Sequence, residues 1–161
     1  MSGSVHVRGS SKIIDLVPTL DTSAYASADT LFLATKIPNV MNDTGGTAIL
    51  ESVCCIDVDN QKQKIDLIFL DTTPASSYGA ANAAYALVDA DAAHILGRVS
   101  ILDTDFVSSS TTNAEATLKA IGLLLQSVAG VRDLWVLGVC RGGTPTYSAA
   151  GLRFRLGFLQ D

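Results

Sequence analysis

Two histidines, three cysteines and a few close pairs of acidic residues are the groups in this chain that could do nucleophilic, acid–base or metal chemistry. A hydrolase of the triad type needs a nucleophile, a histidine to take its proton and an acid to orient that histidine. The histidines are His6, in a Ser- and Gly-rich opening stretch, and His94, and no Gly-x-Ser-x-Gly elbow is present. Cys140, His94 and an aspartate make a thiol triad on paper, but Cys140 closes an apolar strand, where inert core cysteines sit. Asp57-Val58-Asp59-Asn60 and Asp89-Ala90-Asp91 each bring two oxygen ligands together without the glycine and distal glutamate of a calcium loop. Asp57 and Asp59 read instead as solvated residues at a hairpin end, and Asp89 or Asp91 as a helix cap.

The histidines and scattered cysteines match no zinc spacing. The Gly138–Gly143 stretch lacks the GxGxxG spacing of a phosphate cradle and has no helical pattern after it, so it reads as a tight turn between strands. No Gly-Lys pair before Ser or Thr offers a Walker loop. Carboxylates for glycoside hydrolysis can meet in any sheet cleft. Aromatic content is only 6%, however, and Trp135, the one tryptophan, lies on an apparent core strand. Asn42-Asp43-Thr44 fits a glycosylation sequon, read as a chance match because no secretory signal is seen. No residue is therefore assigned a catalytic, cofactor-binding or metal-binding role, and the chain is not read as an enzyme.

The elements that would carry such groups are strands. The 161 residues fit one domain with a core large enough to need no disulfide or metal. Charged residues make up 17%, against about 25% in an ordinary domain. A chain so poor in charge covers part of its surface by assembly or leaves neutral polar faces in water. The net charge of -5 carries no basic cluster, which argues against nucleic-acid and anionic-membrane partners. Cys54, Cys55 and Cys140 form no disulfide framework and read as small apolar fillers in a reducing cytoplasm, with Cys54 and Cys55 on opposite faces of a strand. No apolar run approaches the roughly 20 residues of a membrane span.

Residues 1–11 read as a flexible arm and 12–161 as a single β-sandwich domain. Ile13–Val17 is extended and ends at Pro18; the small, polar surroundings of Tyr25 read as a surface loop. Leu31, Leu33, Thr35 and Ile37 share one face of the next strand, with Phe32 on the other. Along residues 47–59, Ala48, Leu50, Cys54, Ile56 and Val58 fall on one parity and Glu51 and Asp57 on the other. The polar segment Asp59–Gln63 then predicts a hairpin back into Lys64–Leu70, with Ile65, Leu67 and Phe69 on one side. Thr72–Leu87 reads as a long surface excursion, and residues 89–96 as a short helical turn capped by Asp89 with Gly97 at its end. Val99 and Ile101 begin a strand that Asp105–Val107 continues after a bend.

Glu115–Val128 fits either a helix face or a strand face; Gly122 favours strand, and a helix is the alternative. The stretch after Asp133 is another strand. The final alternation of Leu152, Phe154, Leu156 and Phe158 against Arg153, Arg155 and Gly157 predicts a strand paired within a sheet. Six to eight strands separated by turns imply an all-β antiparallel sandwich, of jelly-roll type.

Three blocks resemble small virion proteins of tailed bacteriophages: Ile14–Tyr25, Asp89–Ile101 and Gly142–Gly157. The resemblance is to head decoration, or cement, proteins. It implies a virion protein made in the host cytoplasm that binds the outer surface of the capsid, with the major capsid protein and itself as partners, as a homotrimer, and with no cofactor. A tail or neck structural protein and a small carbohydrate-binding sandwich module are the alternatives. On any of these readings function lies in edges, loops and arm.

Overall fold

An alternation of period two buries one set of residues and exposes the other, and the end of the chain does this most regularly. The computed structural model describes residues 10–76 and 78–160. In β10 (Leu152–Gln160), Leu152, Phe154, Leu156 and Phe158 are buried and Arg153 and Arg155 are exposed. β10 is paired on both sides, by β1 (Ser10–Leu16) and by β3 (Thr47–Asp57), as the pattern predicts. Ser10 and Ser11, placed with the arm on sequence grounds, lie in β1 opposite Gln160 and Leu159; the rest of the arm lies outside the described residues.

Beyond β3 the sheet continues with β7 (Ala114–Leu118) and β8 (Leu123–Gln126), which pair with successive halves of β3, and with β6 (Phe106–Ser108) outside β7. The ambiguous stretch is thus strand, broken where Ala120 and Gly122 take left-handed backbone angles. The facing sheet runs β2 (Thr30–Ile37), β9 (Leu134–Cys140), β4 (Ile65–Leu70), β5 (Ile95–Ile101). All pairings are antiparallel, and the chain passes between the sheets at β1–β2–β3–β4 and again at β5–β6 and β8–β9–β10, with Phe32 of β2 meeting Phe154 of β10 across the core. This interleaving is a jelly-roll sandwich, and the inner faces meet in one cluster that includes Phe32, Phe69, Phe154 and Phe158.

Several expectations fail where a strand carries an extra residue. In β3, Leu50 opposes Phe158 and Ser52 opposes Gly157, leaving Glu51 as a bulge. A one-residue slip turns every later side chain over. Val53, Cys55 and Asp57 therefore point inward, while Cys54 and Ile56 are only partly buried. Register shifts in β2 likewise bring Phe32 into the core beside Leu31 and Ile37 and leave Leu33 out, so the expected common face of Leu31, Leu33, Thr35 and Ile37 is broken.

β3 and β4 do not form the expected hairpin. They lie in opposite sheets, and residues 58–64 carry the chain across between them. The crossing is held by the buried Asp57 carboxylate, which accepts from the backbone N–H of Lys62 at 2.7 Å and of Asp59 at 3.1 Å. Asn60 and Lys62 adopt left-handed angles to make the turn. Tyr25 is no surface residue either: its ring stands edge-on to Tyr147 at 6.1 Å, and its hydroxyl donates to the Leu31 carbonyl. The helical element is the single turn α1 (Asp89–Ala92), preceded by Val88 with no side-chain cap, and Gly97 falls inside β5. After β5 the chain bends through a 3₁₀ turn, Asp103–Asp105, and β6 continues in the other sheet.

Gly138, inside β9, supplies the space in which the Phe32 ring lies. A Cβ there would meet ring atoms of Phe32 at distances down to and below 2.6 Å, far inside contact. Phe32 is fully buried and has nowhere to go. Gly138→Ala is expected to lower the unfolding free energy by about 1–3 kcal/mol, read from the denaturant midpoint at unchanged slope.

Candidate assembly surface

The sequence candidates for chemistry are dispersed by the fold. His94 pairs through Nδ1 with Asp71 at 2.8 Å, at the far end of β4 from Cys140. Cys140 opposes Ile65 while Ile95 opposes Leu70, so about 17 Å of strand separates the thiol from the histidine's neighbourhood. Burial pushes the Cys140 thiol up, away from the reactive thiolate. Gly138 is a strand residue, and Gly142 packs on the Gln63 side chain within residues 141–151, which cross from β9 to β10 in the other sheet, so the glycines do not make the expected tight turn between strands.

Asp57 is not solvated. Burial raises its carboxyl, and backbone N–H groups of Lys62, Asp59 and Gln61 pull the other way. Asp59 accepts from the Ser148 backbone at 2.7 Å and from its hydroxyl, tying the 58–64 crossing to the loop before β10. Asp91 accepts from Ala75 and Ser76, and these two backbone bonds hold its carboxyl below the ordinary range. Among the described residues no group of three or more His, Cys, Asp or Glu is placed to hold a metal ion.

The two outer faces of the sandwich differ. On the four-stranded sheet, Ile68, Leu70, Leu137 and Val139 point outward yet are fully buried. Tyr78 and Tyr85 from the 72–87 excursion cover them, with Trp135 and Ala34 beside. The excursion is fastened to β2 by the Ala34 N–H to the Tyr78 hydroxyl at 2.7 Å and the Thr30 N–H to the Ala83 carbonyl at 2.8 Å. At one end of the same face the buried Asp66 carboxylate accepts from Ser100 Oγ at 2.6 Å and Arg141 Nε at 2.8 Å, with Arg98 at 3.5 Å. Burial alone would raise Asp66, but the bonds from Ser100 and Arg141 and the two arginine charges outweigh it, and its carboxyl lies below the ordinary range.

Among the described residues the six-stranded sheet has no such roof. Its outward residues include Ile13, Leu124 and Val107, which are 69%, 63% and 66% exposed, together with Ile49 and Leu159. Cross-strand register places Leu159, Ile49 and Leu124 side by side in one row. Gly157 opens a hollow of about 200 Å³ between Ile13, Ser52 and Leu159. A second hollow of about 180 Å³ lies against Ile49 and Leu124. Charges are concentrated toward the other end, where Arg155 Nε meets Asp15 at 2.8 Å. Cys54 is the partly exposed thiol on this face, and among the described residues no histidine stands on it; the arrangement can bury apolar surface against a flat partner.

Sequence reasoning placed function in edges, loops and arm, and missed this face. Ile49, Leu124 and Leu159 were apolar residues at outward positions, but recognising them as outward required the register. A wider hollow of about 490 Å³, between Val17–Asp21 and Leu33 and Thr35, is lined by no aromatic ring.

No family model matches the chain, and no curated protein sequence matches it. Among solved structures it is similar to that of tomato aspermy virus, at 8% identity and a TM-score of 0.41, covering 99% of this chain and 80% of that one. It is also similar to a chain of the cyanophage Pam1 capsid asymmetric unit, at 16% identity and a TM-score of 0.37, covering 100% and 93%. A third is the virus-like particle of the extra small virus of the giant freshwater prawn Macrobrachium rosenbergii, at 11% identity and a TM-score of 0.29, covering 99% and 84%.

Proposed function

We propose that this chain is a structural virion protein that binds the outer surface of a bacteriophage capsid and stabilises it, a decoration protein acting as a homotrimer. The observation that carries the reading is the contrast between a four-stranded sheet sealed by its own chain and a six-stranded sheet with an open apolar face. A domain built this way is completed by neighbours. Covering the exposed part of each large apolar side chain contributes on the order of 1 kcal/mol, so a few of them make an assembly contact.

The resemblance of Ile14–Tyr25, Asp89–Ile101 and Gly142–Gly157 to phage decoration proteins supports the capsid location, with the major capsid protein as partner. The net charge of -5 suits a protein held at high density near, but not on, packaged nucleic acid. Among the described residues β1 and β6 end one sheet and β2 and β5 the other, and these unpaired edges suit contacts between copies in a trimer.

Imaging of the particle from the genome that encodes this chain, with protein quantified against the major capsid protein, tests the reading. The expected result is density on the head surface at a fixed fraction of the capsid protein, and heads that rupture at lower temperature when the gene is deleted. A ring of small copy number at the neck or tail, or absence from the particle, overturns it.

A further inference from the structure

We infer that the open face of the six-stranded sheet pairs with the same face of a second copy, about a twofold axis running along β3. Two levels of outward residues are matched across that strand, while the level between them, Asp15, Arg155, Cys54 and Thr117, is not. At one level, read across the sheet from the β1 side, come Val17, Arg153, Ile56, Glu115 and Val107. At another come Leu159, Ile49 and Leu124. A half-turn about an axis lying in the face and parallel to β3 keeps each level and exchanges left for right. It sets Arg153 on Glu115 of the second copy, and Glu115 on that copy's Arg153. Val17 meets Val107, Leu159 meets Leu124, and Ile49 and Ile56 meet their own counterparts.

Charge complementarity selects a second copy as the occupant. Arg153 and Glu115 sit two strands apart, about 10 Å, and neither has an ion-pair partner among the described residues of its own chain. Arg155 on the same face is already taken by Asp15. The twofold supplies both free charges with partners at once, which is the self-complementarity an isologous contact requires. Five strand positions separated by four spacings of about 4.8 Å, and seven residues rising about 3.3 Å each, give a flat footprint of roughly 440 Å² per copy. Corrugation adds to that, so the total lies near the lower limit of specific interfaces, about 1,000 Å². The pairing is therefore reversible and concentration-dependent. The pair is the form of the free chain: the capsid contact of the proposed function uses the same face, so capsid binding and pairing compete, and a dimer in solution and a chain bound to a head are separately measurable results.

Sedimentation equilibrium of the full chain across the micromolar range tests it, with circular dichroism confirming the fold of each variant. The expected result is a monomer–dimer equilibrium that Arg153→Glu or Glu115→Arg alone weakens about tenfold or more. The double reversal restores it. Leu124→Asp also dissociates the dimer. Cys54 points outward beside the axis and is the one partly exposed cysteine, Cys55 and Cys140 being buried. Facing sheets lie about 10 Å apart, too far for a disulfide but within reach of a short bismaleimide, which is expected to link two Cys54 thiols in the wild type and not in the single reversals. A chain that stays monomeric throughout overturns the inference. So does any association that the single reversals leave unchanged, or whose loss the double reversal fails to repair.

Discussion

Phe154→Ala is expected to be the most damaging single truncation in this core, lowering the unfolding free energy by about 3–5 kcal/mol. Phe154 is 1% exposed in the first half of β10, and its ring meets that of Phe32 at 5.7 Å from the facing sheet. Phe32 cannot follow the missing ring, because it is seated over Gly138 in its own sheet. The truncation therefore leaves a cavity that the walls do not fill, and the cost sits at the upper part of the range for such changes. Urea unfolding of the two proteins checks it: a midpoint shift worth less than about 1 kcal/mol would show that the two sheets move together to close the gap.

Asp66→Ala is expected to cost about 2–3 kcal/mol. Removing one partner of a buried ion pair costs about 3–5 kcal/mol, and the lower figure is used because the Arg98 side chain is 51% exposed and Arg141 28%. Both can turn part of their guanidinium to water. The pH dependence distinguishes this from lost packing. The Asp66 carboxyl lies below its ordinary value of 3.8 in the folded chain, so its contribution is fully present above that value and is lost as pH falls through the folded value. The stability gap between wild type and Asp66→Ala is thus expected to be constant near neutrality and to narrow below pH 3.8. A gap that is the same in acid would assign the loss to packing.

The strands themselves were legible where period and breaker agree. β10 alternates without interruption, Pro38 follows the end of β2, and Gly122 marks the break between β7 and β8. Faces were less legible than strands. Glu51 looks like any polar residue on the outward parity, and nothing in its type announces that it is the extra residue whose insertion sends Cys55 and Asp57 inward. The 58–64 loop has the composition of a hairpin because both a hairpin and a crossing need left-handed residues and a carboxylate to cap backbone groups. Which sheet the chain enters next is decided by the burial of Ile65, Leu67 and Phe69 against β9, a contact about 70 residues away in sequence. Tyr25 offered a signal that composition hid: a large aromatic ring in a small polar stretch is the anchor of that stretch. The open face was illegible for a related reason, since the row of Leu159, Ile49 and Leu124 joins three separate strands and exists only once register is fixed.

The roof over the four-stranded sheet has a further consequence for how many molecules can stack. A sandwich with two bare outer faces could add layer upon layer and grow into a fibre. Here Tyr78 and Tyr85 have already occupied one side. Face-to-face growth through the remaining side stops after a single addition, so the chain is a terminator of its own stacking, and removing the Tyr78 and Tyr85 rings would turn a closed pair into an open-ended column.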